Sequence, residues 1–109
     1  MLEIYTSRIK YSGENKLDIT IGTGDKVFAP SWEIVIGHKR GKITDKQYTN
    51  AYIKLMRISY KRHKKRWNEI LNKDKIVFCC YCSSDKFCHR YILANIFTKL
   101  GAKYCGEIK

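Results

Sequence analysis

A chain of 109 residues with 44% hydrophobic and 13% aromatic side chains and a single proline has room for one packed domain, residues 1–109, and excludes a disordered polymer. A formal charge of +12, from 22 basic against 10 acidic residues, calls for an anionic partner, and the excess of lysine over arginine favours diffuse attraction over bidentate reading of bases. No apolar run approaches the ~20 residues of a membrane span, and Met1 to Lys10 lacks a secretory leader, so a soluble, cytoplasmic protein with no membrane partner is expected.

Leu2, Ile4 and Thr6 alternate with Glu3, Tyr5 and Ser7, the period of a strand buried mainly on one face. The polar stretch Tyr11 to Lys16 turns the chain. Leu17 to Ile21 reads as a second strand, and Gly22-Thr23-Gly24-Asp25 ends it in a loop. Phe28-Ala29-Pro30-Ser31 is a rigid connector, and Ser31 can cap a short helix through His38, although Ile34, Val35 and Ile36 would equally suit a strand. Thr44 and Gln47 form a capping box, after which Tyr48, Ala51, Tyr52, Leu55 and Ile58 recur at helical spacing. This helix extends, with a bend, through Trp67, Ile70 and Leu71.

Ile76 to Cys82 is continuous and apolar, as in a central strand covered on both faces. Ser84 or Asp85 can cap the next helix, Phe87 to Leu100, which Gly101 closes, and Lys103 to Ile108 is a last short strand. Residues 76–108 thus form a βαβ unit. The fold class is α/β: a single compact, three-layer-like domain with a mostly parallel sheet of about four strands and flanking helices.

In such a sheet ligands bind outside the carboxyl ends of the strands, which makes the turn after the central strand the leading pocket. There Cys88, His89 and Arg90 open a helix whose free N–H groups and dipole favour an anion, and Ser83 and Ser84 add hydroxyls. Cys88 is either a nucleophilic thiolate or a small buried residue, and His89 either a proton carrier or a phosphate contact. Asp18 in an apolar strand either faces solvent or needs a partner at a site.

Five cysteines in an unexported chain are expected to stay reduced thiols. Cys80, Cys82, Cys88 and His89 offer metal-type ligands. A C-x-C pair within one strand, however, holds its thiols about 7 Å apart and lacks a zinc knuckle, so neither a metal nor another cofactor is expected. Lys61, Arg62, Lys64, Lys65 and Arg66, flanked by Tyr60 and Trp67, form either a nucleic-acid surface with stacking aromatics or a solvated helix face. Gly22-x-Gly24 lacks the third glycine of a nucleotide-binding loop.

The strand leading into Cys88-His89-Arg90, the Ala29-Pro30-Ser31 segment, the Thr44-Asp45 helix start with its tyrosines and the Trp67, Ile70 and Leu71 helix end resemble, in order, the DUF488 family of small bacterial and phage domains. Ile19 stands where that family often carries an arginine after its early aspartate. The resemblance implies a compact α/β fold with a pocket around Asp18, Ser31 and Cys88 to Arg90, and it supplies no reaction.

The leading functional expectation is the binding of a small anionic, nucleotide-like ligand by Arg90, His89, Ser83, Ser84, Asp18, Ser31 and Tyr5, as in a phage-type protein sequestering a nucleotide defence signal. An enzyme acting on a nucleotide-derived or nucleobase-containing substrate through Cys88 and His89 is the second reading. A nucleic-acid-binding module built on residues 60–67 is the third. Pocket-bearing domains this small often complete their site across a symmetric homodimer or higher homo-oligomer.

Overall fold

Alternation in the first strand and continuous apolarity in the third dictate how the sheet is built. The computed structural model describes residues 1–82 and 87–108. Four strands, β1 (Glu3–Arg8), β2 (Lys16–Asp18), β3 (Lys75–Cys80) and β4 (Lys103–Ile108), form one sheet in the order β2-β3-β1-β4. Every pairing is parallel, with Ile4 opposite Ile76 and Thr6 opposite Phe78. Residues Ile76 to Cys80 are all buried, as the unbroken apolar run requires of an interior strand. β1 lies between β3 and β4, so the βαβ unit at the end of the chain spans one intervening strand.

The helices are α1 (Trp32–Lys39), α2 (Asp45–Arg62), α3 (Lys64–Leu71) and α4 (His89–Lys99). The Ser31 hydroxyl accepts from the Ile34 N–H, which settles the choice between helix and strand at Ile34 to Ile36 in favour of helix. Thr44 and Gln47 close the expected capping box at the start of α2. The expected bend is a break at His63, whose backbone leaves the helical region at φ −126°, ψ 41° and starts α3 without a side-chain cap.

That break swings Trp67 into the core. Its ring is fully buried and stacks on Phe97 at 4.9 Å, Phe28 meets it edge-on at 5.1 Å, and its indole N–H donates to Ser59. Leu2, Ile4, Ile76, Phe78, Tyr52 and Leu93 complete the same cluster. The radius of gyration, 13.1 Å, matches the ~13 Å of a single folded domain of this length.

β2 stops at Asp18 because the chain turns around its carboxylate. That carboxylate accepts from the Thr20 N–H at 2.8 Å and from the hydroxyls of Thr20 and Thr23 at 2.7 and 2.6 Å. Gly24 is required there, since a Cβ would collide with the Thr20 amide and with the carbonyl and carboxylate of Asp18. The glycine pair is therefore a turn around a carboxylate, which explains its poor match to a nucleotide loop.

Candidate functional site

The carboxyl ends of β2 and β3 and the start of α4 enclose a cavity of about 310 Å³. It lies where an open parallel sheet places its ligands. Cys88, in extended backbone, is the N-cap of α4 and makes no side-chain capping bond. Ser84 and Asp85, the expected caps, and Ser83 lie outside the described residues.

Cys88 and His89 line the cavity and Arg90 does not. Consecutive helical residues point about 100° apart, so three adjacent side chains cannot all face one pocket. Arg90 is fully buried beneath the turn. Its guanidinium donates to both carboxylate oxygens of Glu107 at 3.3 and 2.8 Å, to the Cys82 carbonyl at 3.0 Å, to the Cys80 sulfur at 2.9 Å and to the Tyr91 hydroxyl at 2.9 Å. Burial works against its charge, but the hydrogen bonds and charge of Glu107 outweigh it and hold the guanidinium cationic. Arg90 thus ties β4 to the end of β3 and orients the site from below.

His89 donates from Nε2 to the Ile19 carbonyl at 2.7 Å, which leaves the Nδ1 lone pair toward Cys88, 3.8 Å from its sulfur. Burial pushes the imidazole pKa down to about 4, against the Ile19 carbonyl, which pulls it up, so the ring is neutral at physiological pH. The Tyr52 ring meets it edge-on at 5.5 Å and fixes its tilt.

The sulfurs of Cys80 and Cys88 are in contact, and that of Cys82 joins them, all three lying within 4.8 Å of one another. The expected separation of a C-x-C pair assumed one continuous strand, and β3 ends at Cys80. Cys82 lies beyond the strand end, where the extended two-residue rise that parts the two thiols no longer applies. Cys79 lies outside this group, and burial raises its thiol pKa to about 11, as expected of an inert core residue.

The remaining walls are rings. Trp32, 59% exposed, stands at the start of α1, while Tyr48 and Phe87 meet edge-on at 5.1 Å and His38 lies against Phe87 at 5.0 Å. Exposed Lys39 is on the lining. The sequence singled out none of these as site residues. The available signal was Trp32, a large aromatic directly after the capping serine on a weakly amphipathic helix.

The other expected site residues are placed apart. Asp18 and Ser31 hold turns that border the cavity through their neighbours Thr20, Pro30 and Trp32. Tyr5 lies on β1 under the Lys75 ammonium, 5.5 Å from its ring centre. In the basic run Lys61, Arg62, Lys64 and Lys65 are exposed, Arg66 pairs with Asp25 at 2.9 Å, and Trp67 is absorbed by the core. Among the described residues no helix is long and apolar enough to cross a membrane.

A wholly parallel α/β sheet with a Cys-His-Arg turn at its carboxyl edge defines the class of the protein. The chain belongs to the DUF488 family: the family model described as the active DUF488-N3 subclade matches residues 1–101. No curated protein and no solved structure matches it.

Proposed function

We propose that the protein binds a small nucleotide-like ligand, cytoplasmically, with a nucleobase or similar planar ring held in the cavity beside Cys88 and His89. The observation that carries this reading is the lining. Trp32, Tyr48 and Phe87 offer apolar π-faces and edges, while His38, His89 and Thr20 offer polar atoms, a combination suited to a flat heterocycle. Lys39 and the overall charge of +12 favour an anionic tail at the mouth. Arg90 contributes by supporting the turn, in place of the direct contact expected from sequence. If binding proceeds without turnover, the protein acts as a sequestering agent, of which a phage-type sponge for a nucleotide signal is one form.

Native mass spectrometry of the purified protein tests this reading. The expected result is a retained nucleotide-sized mass, or saturable 1:1 uptake of an added nucleoside monophosphate, with affinity that falls only modestly between low and physiological salt. Absence of uptake for every nucleoside mono-, di- and triphosphate, or a steep salt dependence typical of polyanion binding, overturns it.

A second reading, an enzyme on the same ligand, is favoured by one contact: the Nδ1 lone pair of His89 faces the Cys88 sulfur, which is a thiol once parted from Cys80. Cys88→Ser separates the two. Binding that survives with no reaction lost supports sequestration, and loss of a measured turnover supports the enzyme.

A further inference from the structure

We propose that Cys80, Cys82 and Cys88 bind one thiophilic cation of the zinc class as three thiolates, with its fourth coordination position open toward the cavity. The site does not depend on the nucleotide reading. Three sulfurs, two from the end of β3 and its following turn and one from the N-cap of α4, lie within 4.8 Å of one another. Thiolates sharing one zinc ion at ~2.3 Å bonds sit about 3.8 Å apart, so the Cys80 and Cys88 sulfurs, now in contact, part as Cys82 draws in to complete the triad.

A plain Cys80–Cys88 disulfide accounts for the cluster less well. The two Cα atoms are 7.8 Å apart, beyond the ~4.4–6.8 Å that a disulfide spans without backbone movement. It also gives Cys82 no role, although Cys82 is gathered into the same group. The surroundings favour thiolates. The Arg90 guanidinium donates to the Cys80 sulfur at 2.9 Å and is itself fixed by Glu107, the arrangement of an outer partner that orients a ligand and stabilises its negative charge. Cys88 lies at the positive end of α4.

The open position follows from the count. Three protein ligands leave tetrahedral zinc one vacancy, and Cys80, Cys82 and Cys88 all line the cavity. On binding, each thiol bonded to the ion releases its proton to solvent, and no electron is transferred. A bound ion draws off the charge of the Cys88 thiolate that a nucleophile would use, so occupancy of this site counts against the covalent-enzyme reading.

The test is titration of the reduced, full-length protein with Co²⁺ under anaerobic conditions, followed by displacement with Zn²⁺ and native mass spectrometry. The expected result is 1:1 stoichiometry and a thiolate-to-cobalt charge-transfer band that zinc abolishes. Half-buried Cys82 tolerates replacement with least risk to folding, so Cys82→Ser should lose the band and weaken zinc binding by at least about tenfold, while Cys105→Ser, outside the cluster, changes neither. Absence of the band in folded wild-type protein, an unchanged band in Cys82→Ser, or a Cys80–Cys88 disulfide that resists mild reductant overturns the site. Failure of nucleotide uptake leaves these results intact, because neither readout involves a nucleotide.

Discussion

The Cys-His-Arg turn and the basic run at residues 60–67 look alike in sequence, each a tight group of chemically active side chains at a helix start or break, and the fold divides both in the same way. At the turn Cys88 and His89 face the cavity while Arg90 goes underneath to Glu107. In the run the lysines stay in solvent while Trp67 enters the core. Adjacency along a helix separates side chains by about 100°, so neighbours share a chemistry only when the fold brings in further elements to meet them. The turn has such elements in α1 and in the end of β3. Among the described residues the basic side chains of the run pair with Asp25 and Glu69, both through Arg66.

The largest effects should come from the buried halves of the two regions. Trp67→Ala removes a stacked, fully enclosed indole and should cost about 3–5 kcal/mol in urea unfolding, whereas Lys64→Ala and Lys65→Ala should stay within about 0.5 kcal/mol. A near-neutral Trp67→Ala would mean that the ring belongs to a surface, and the nucleic-acid reading would gain. Arg90→Ala leaves the Glu107 carboxylate without its buried partner and should destabilise by a comparable ~3–5 kcal/mol, with Arg90→Lys recovering only part because a point charge cannot reach both oxygens and the Cys80 sulfur.

Next in size is the cavity itself. Trp32→Ala should weaken nucleotide binding by about 1–3 kcal/mol, the usual worth of one aromatic stack, with the thermal midpoint of the free protein little changed because the ring is exposed. Isothermal titration of the wild type and the variant measures it.

The smallest effect concerns the turn around Asp18. Burial raises its pKa, but the hydroxyls of Thr23 and Thr20 and the Thr20 N–H outweigh that and hold it below the ordinary carboxylate value. A depressed folded-state pKa contributes stability that is present above the unfolded value of about 4 and lost as pH falls through the folded one. The stability gap between wild type and Asp18→Asn should therefore be flat near neutrality and shrink below about pH 4. A gap that grows on acidification would mean that the carboxylate is not serving as the acceptor.

Much of the fold was legible because its signals are local. The Thr44–Gln47 capping box, the period of two at Leu2 to Thr6 and the apolar run at Ile76 each declare an element without reference to the rest of the chain. The location of the cavity followed from a topological rule. Its composition did not. Trp32, Tyr48 and Phe87 come from three separate segments, and nothing in their spacing reports that they share a wall. Glu107 is one acidic residue in a short terminal strand until Arg90 is seen against it, and the convergence of Cys80, Cys82 and Cys88 depends on where β3 stops, a boundary that apolar composition alone places too late.

Titration of the protein with a nucleoside monophosphate while following tryptophan emission is the most direct test of the cavity assignment, because Trp32 lines it and Trp67 is sealed in the core. The account predicts saturable quenching with 1:1 stoichiometry that disappears in Trp32→Phe, where only the buried indole still reports. Quenching that persists unchanged in Trp32→Phe, or none at all with any nucleotide in the folded wild-type protein, would contradict it.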